Sequence, residues 1–186
     1  MVFWVLKLKK DIEEFFRLLH PRPVVLVCSV DSEGRPNVMA CSWITPVSEE
    51  PPMIALSLWR RGYTHQLIEA KKEFTVNIPS ADMVKAVVIA GSRSGRRTNK
   101  LVIAGLTTQP SKKVSVPIIE QCIGHLECRL VDFMKVGECN LYVGEVLAAY
   151  ADEDLMTNGM WNERANVLLH VGDKIFTTPH VSFEVK

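Results

Sequence analysis

The segment that most limits what this chain can fold into is Val24-Val25-Leu26-Val27-Cys28-Ser29-Val30. Four of its seven residues are valine. β-Branched side chains are stiff at χ1 and pack well on a pleated strand. The run is too short for a membrane span and reads as a buried strand. Asp31-Ser32-Glu33-Gly34 follows as a turn, since Gly34 is free to take positive φ. Residues 37–43 read as the returning strand, so residues 24–43 are expected to form a hairpin.

The same strand-turn-strand pattern recurs downstream. Pro46, Pro51 and Pro52 mark a loop, and residues 53–59 form a third strand. Arg60-Arg61-Gly62 is a turn, after which Thr64 opens a short helix carrying Leu67 and Ile68. Residues 73–78 form a strand that Pro79 ends. Ser80 is expected to cap a helix running to about Ala90, with Met83, Val84, Val87 and Val88 on one side. Residues 91–100 are polar and basic. Residues 121–134 and 140–151 are two long strands with Gly137 near their turn. At the start, Asp11 is expected to cap a helix with Ile12, Phe15, Phe16 and Leu19 on one face, stopped by His20-Pro21-Arg22-Pro23. Near the end, Asn158-Gly159 suggests a turn and residues 181–185 a last short strand. Helical patterns are few and short. The expectation is a mainly-β, antiparallel sheet or barrel, forming a single domain over residues 1–186.

Composition removes several function classes. A net charge of +1 argues against a general nucleic-acid binder. Cys28, Cys41, Cys122, Cys128 and Cys139 are odd in number and contain no Cys-x-x-Cys, which suits reduced thiols in the cytoplasm. Lysines 7, 9 and 10 follow the apolar N-terminus rather than precede it, unlike a signal peptide, and no stretch is long enough for a membrane helix.

Four places are candidates for chemistry. Met39-Ala40-Cys41-Ser42-Trp43 offers small and hydroxyl residues that let a flat ring approach the backbone; it also suits an ordinary strand. In Ser57-Leu58-Trp59-Arg60-Arg61-Gly62-Tyr63-Thr64 a strand ends, a basic turn follows and a helix begins. A helix N-terminus with an arginine and hydroxyls suits a phosphate; a solvated turn with Thr64 capping its helix fits as well. Residues 91–100 hold Gly91, Ser92, Arg93, Arg96, Arg97 and Lys100, lack Walker spacing, and fit either a phosphate contact or an exposed loop. Cys122-x-x-His125-x-x-Cys128 resembles a metal site, but strand alternation puts His125 on the face opposite the two cysteines. No metal site is expected. Hydrolase and dinucleotide fingerprints are missing.

Taken in order, these pieces resemble the flavin reductase-like family of FMN-binding split barrels, in its ferric reductase and flavoredoxin-like branch. The matching motifs are Arg22-Pro23-Val24, Gly34-Arg35-Pro36-Asn37, Ala40-Cys41-Ser42-Trp43, Pro51-Pro52-Met53-Ile54 and Glu73-Phe74-Thr75-Val76-Asn77-Ile78-Pro79. Lys100, Ala104-Gly105-Leu106, Glu127-Cys128 and Val143-Gly144-Glu145-Val146 follow. The resemblance spans residues 20–149.

It implies a split β-barrel with a few short peripheral helices, a homodimer, and FMN near the subunit interface. The flavin ring would lie along Met39, Ala40, Cys41, Ser42 and Trp43. The ribityl chain and phosphate would run over Ser57, Leu58, Trp59 and Arg60 to Tyr63 and Thr64, with Gly91, Ser92 and Lys100 bordering the site. Family members pass electrons from NADH or NADPH, or a protein donor, through FMN to flavin, ferric iron or another acceptor. One departure matters. Many relatives carry Gly-Asp-His before the Val-Gly-Glu-Val strand, where this chain has Gly137-Glu138-Cys139. That puts reduction by a nicotinamide in question, leaves FMN binding untouched and favours a second reading, a flavoredoxin-like FMN carrier without its own nicotinamide site; a cofactor-free module that keeps the barrel is a third reading.

Overall fold

The computed structural model describes residues 9–179. The strand expected at residues 181–185 lies outside them. Seven antiparallel strands form the main sheet, in the order Pro36–Cys41, Val25–Val30, Glu73–Ile78, Gly124–Val136, Cys139–Ala151, Met53–Trp59 and Ile44–Ser48. The two edge strands, Pro36–Cys41 and Ile44–Ser48, are consecutive in the chain. Only Ser42 and Trp43 separate them, so the sheet must curl until its edges nearly meet. An extra residue at Val131 in the Gly124–Val136 strand and another at Leu147 in the Cys139–Ala151 strand bend this long pair to allow it. The result is a split barrel: curled, with a seam at Ser42 and Trp43.

The hairpin expected at residues 24–43 forms, pairing Val25 with Cys41 and Val30 with Pro36. Its first strand is buried on both faces. Val25 and Val27 enter a core inside the barrel with Leu56, Leu58, Phe74, Val76 and Tyr142. Val24, Leu26, Cys28 and Val30 alternate into a second core beneath the helices, with Val87, Ala90 and Leu101. The period-2 alternation of a strand thus divides one apolar run between two cores. Truncating Phe74, fully buried in the first, carries the usual cost of about 3–5 kcal/mol for a core aromatic.

Helix α1 (Thr64–Lys71) sends Ile68 into the first core, while two α-helices, α2 (Val84–Ser92) and α3 (Lys100–Ala104), cover the second. A small sheet of Arg22–Pro23, Leu169–Gly172 and Ile175–Thr177 lies apart from the main one.

Several expectations need correction. The first helix is a 3-10 turn, Phe15–Leu19, with Glu14 rather than Asp11 at its N-cap and no capping side chain. Phe15, Leu18 and Leu19 are exposed, so no core rewards a longer helix. The proline-marked loop contains the strand Ile44–Ser48; an edge strand tolerates Pro46, whose missing N–H faces away from the ladder. Ser80 opens a 3-10 turn, Ala81–Met83, its hydroxyl turned to the Asp82 carboxylate, and α2 starts at Val84. Lys100 is the buried first residue of α3, not the end of an exposed loop; Asn99 caps that helix by accepting from the Val102 N–H at 3.3 Å. The turn at Asn158 and Gly159 forms, both residues having positive φ.

Candidate functional site

A cleft of about 500 Å³ opens where the first hairpin, the end of the Met53–Trp59 strand, α1 and the loop after α2 converge. That volume lies within the usual range for small-molecule sites. Met39 and Ala40 from the hairpin and Leu58 from the strand end supply apolar wall, with Gly91 at the end of α2. Arg61, Arg93, Arg96, Arg97 and Lys100 surround it, and no carboxylate lines it. One part of the cleft is therefore apolar, and the charged side chains that line it are all cationic.

The basic loop is tied down. The Arg96 guanidinium donates to the carbonyls of Arg61 at 3.3 Å and Gly62 at 3.2 Å, and stands 5.2 Å over the Tyr63 ring. Gly95 makes that approach feasible. A Cβ there would fall 2.0 Å from Asn37 Oδ1 and 3.1 Å from the Tyr63 ring. The loop thus lies directly on the turn that leads into α1.

Thr64, the first residue of α1, is 3% exposed. Its hydroxyl oxygen accepts from Asn37 Nδ2 at 3.0 Å, which leaves its own O–H to donate. No side chain caps α1, so its first-turn N–H groups and their partial positive charge face the same end of the cleft. Lys100 is 5% exposed, and its ammonium donates to the Ala90 carbonyl at 3.1 Å. Burial brings its pKa down to about 8.

Nine expected residues meet in this cleft: Met39, Ala40, Leu58, Trp59, Tyr63, Thr64, Gly91, Ser92 and Lys100. Five lie elsewhere. Arg60 points to the tip of the long hairpin, donating to the Gly137 carbonyl at 2.6 Å, outside the cleft wall. Cys41 is buried, its thiol directed to the Trp43 carbonyl at 3.6 Å and pushed up to about 11 by burial. Trp43 packs outward, its ring against Phe16 and beneath the Arg22 guanidinium. Ser57 belongs to the barrel ladder, its N–H donating to the Trp43 carbonyl at 2.9 Å. Ser42 lines a neighbouring pocket instead. Thr64 does not cap its helix: it is the first helical residue, Tyr63 stands at the N-cap, and the Thr64 hydroxyl meets Asn37.

Sequence reasoning passed over Asn37 as a site residue, and it placed Arg61, Arg93, Arg96 and Arg97 in candidate phosphate segments without including them among the residues expected to hold the flavin. The arginines were visible as a cluster; only the fold of the loop back onto Gly62 shows which turn they serve. Cys122 and Cys128 pack into different cores, and His125 Nδ1 lies 2.9 Å from Asn77 Oδ1.

Comparison with known proteins agrees with this architecture. The chain is 37% identical over 165 residues to an uncharacterized protein of Pyrococcus abyssi, covering 89% of this chain and 94% of that one. Its fold matches the flavoredoxin of Methanosarcina acetivorans with a TM-score of 0.81 at 26% identity, covering 98% and 95% of the two chains. It matches an FMN-binding domain of a flavin reductases-like enzyme from Shewanella baltica with a TM-score of 0.79 at 25% identity, covering 92% and 93%. Residues 16–178 match the model of the flavin reductase like domain. With a split barrel and that match over most of its length, the chain belongs to the flavin reductase-like family.

Proposed function

We propose that this protein binds FMN in the cationic cleft and works as an oxidoreductase, passing electrons from a reduced nicotinamide or a protein donor to flavin, ferric iron or another acceptor. The observation that carries the reading is the cleft's division: apolar strand and helix surface at one part, a carboxylate-free basic rim and an uncapped helix N-terminus at another. FMN has the same division, between a flat ring and a dianionic phosphate. The residues present fit it. Arg61, Arg96, Lys100, the Thr64 hydroxyl and the first turn of α1 would hold the phosphate. Met39, Ala40 and Gly91 would support the ring. Bound FMN supplies the redox chemistry; the chain supplies position, charge and exclusion of water.

A second reading, an FMN carrier reduced by another protein, is favoured by one observation. Cys139 opens the second strand of the long hairpin, paired with Val136 and Trp59, at the place where many family members carry histidine. Anaerobic mixing of the FMN-loaded protein with NADH, then NADPH, separates the two. Fast loss of the yellow colour supports the reductase; no loss, with reduction by dithionite intact, supports the carrier.

The homodimer also belongs to this proposal. Phe15, Leu18, Leu19, Val47, Val131, Met134 and Val136 are exposed apolar side chains of a kind that a second copy would cover. Light scattering at twice the monomer mass is the expected result. A cytoplasmic setting fits the five free thiols. Among the described residues no helix is long and apolar enough to cross a membrane.

A further inference from the structure

Arg60, Arg61, Arg93, Arg96 and Arg97 are all exposed, and none of them makes an ion pair among the described residues. Four of them line the cationic cleft. Arg60 lies outside it and, with Trp59, Arg61 and Glu138, lines a hollow of about 300 Å³. Trp59 borders both spaces, is 51% exposed and has the Arg61 guanidinium 5.9 Å from its ring centre. The arginines thus form a basic surface around an exposed tryptophan, running from the cleft rim onto the end of the Met53–Trp59 strand.

This charge exceeds what the FMN phosphate would use. The groups assigned to that dianion are Arg61, Arg96, Lys100, the Thr64 hydroxyl and the first turn of α1; Arg60, Arg93 and Arg97 have no part in it. The excess is local. The whole chain carries +1, so setting the five arginines aside leaves −4. A charge distribution this lopsided steers an acidic macromolecule and turns it toward the cleft. The residue types point the same way. Arginine and tryptophan are enriched at protein–protein hot spots. Guanidinium pairs with carboxylates through two parallel N–H groups and is more weakly hydrated than ammonium. Two of the arginines are also held in place without losing their charge, Arg60 by the Gly137 carbonyl at 2.6 Å and Arg96 by the carbonyls of Arg61 and Gly62. Glu138 is the carboxylate at the edge of this surface; its backbone carbonyl accepts from the Arg60 N–H at 3.2 Å, and its side chain is exposed.

We propose that this surface docks an acidic one-electron-transfer protein, whose carboxylates meet Arg60, Arg61, Arg93 and Arg97 and whose redox centre comes to lie at the cleft mouth beside Trp59. The partner's role as electron donor rests on FMN occupying the cleft; its docking does not. A one-electron donor docks twice for each FMN, which takes up two electrons and, from water, two protons.

The test titrates an acidic plant-type [2Fe–2S] ferredoxin into the full chain by calorimetry, with and without added FMN, at 20 and at 300 mM NaCl, with the visible spectrum recorded for each sample. Binding at 20 mM is expected, weakened about tenfold or more at 300 mM. Arg60→Glu and Arg93→Glu each weaken it about tenfold at 20 mM. Arg164→Glu makes the same change in net charge beside residues 80–82, at the other end of α2, and keeps the affinity within about threefold. Anaerobic mixing of the FMN-loaded chain with reduced ferredoxin bleaches the flavin, two ferredoxins being oxidised per FMN, and more slowly in the Arg60→Glu and Arg93→Glu variants than in Arg164→Glu. If the chain takes up no FMN but binds ferredoxin with this dependence on the patch, the docking surface stands and the FMN reading falls. If it takes up FMN but binds no ferredoxin, or binds it equally in all three variants, or binds it without bleaching, the proposal is overturned and the FMN reading stands.

Discussion

Asn37 donates its side-chain N–H to the Thr64 hydroxyl oxygen at 3.0 Å, joining the edge of the barrel to the first residue of α1. The other amide hydrogen goes to Ser29 Oγ at 3.2 Å, so the Asn37 side chain is held from two sides. With one lone pair occupied, Thr64 presents its O–H as a donor. Thr64→Val, equal in shape but without the hydroxyl, is expected to weaken FMN binding by roughly 10–100-fold, the range for a hydrogen bond to a charged group. Thr64→Ser retains affinity. Flavin fluorescence titration measures both, and an unchanged Kd for Thr64→Val contradicts the assignment.

Two arginines near the same turn are predicted to behave differently. Arg60 is committed to the Gly137 carbonyl, so Arg60→Ala changes FMN affinity by less than about threefold. Arg96 lines the cleft and fastens the basic loop to residues 61 and 62, so Arg96→Ala weakens binding by about tenfold or more. The reverse order of effects would place the phosphate at the long hairpin instead.

Lys100 links FMN affinity to pH. Its ammonium has a pKa of about 8 in the free protein because burial disfavours the charge. A bound phosphate favours the charge and raises that pKa, so affinity falls as pH rises through 8. Lys100→Met is expected to bind more weakly at pH 7.5 and to show a flatter profile between about pH 7.5 and 9.5, bracketing the free-protein value. The sign for folding is separate. Because the folded pKa lies below the unfolded value near 10.4, the unfolded chain binds more protons between about pH 8 and 10.4. Stability of the FMN-free protein from this group therefore increases across that window. A parallel pH profile in the Lys100→Met variant counts against both statements.

The barrel has its own electrostatic anchor in Glu127, which is fully buried. Its carboxylate accepts from the backbone N–H groups of Lys112 at 2.7 Å, Lys113 at 2.5 Å and Val114 at 3.2 Å, and from the Tyr150 hydroxyl at 2.8 Å. Burial alone would raise its pKa; these donors outweigh it and bring the pKa below the ordinary value. The stabilisation is thus complete above the unfolded value near 4.3 and is lost as pH falls through the folded one. Glu127→Gln is expected to cost about 1.5–3 kcal/mol at pH 7 in urea unfolding, with the gap closing in acid. A gap that does not change with pH would contradict the charged role.

The residue pattern made some of this fold legible and hid the rest. The valine-rich run at residues 24–30, the turn at Gly34 and Pro79 at the end of the Glu73–Ile78 strand follow from local rules, and the structure agrees with them. Ile44–Ser48 was hidden because Pro46 signals a break, and only its place at a sheet edge makes that proline harmless. The hairpin carrying His170 was hidden because its strands are three and four residues long, though Gly172-Asp173 is a turn signal inside it. For the site, the Tyr63-Thr64 helix start and the residues 91–100 were readable as basic and hydroxyl-rich. The direction of Arg60 was not, because which side of a turn a long side chain takes depends on a hairpin nearly eighty residues away.

The central claim is that the cationic cleft holds FMN. Equilibrium titration of FMN into the flavin-free protein, followed by visible absorption and fluorescence, tests it most directly. Saturation at one FMN per chain, lost in Thr64→Val and Arg96→Ala together, is the predicted result. A protein that stays colourless and takes up no FMN at concentrations of tens of micromolar would contradict it.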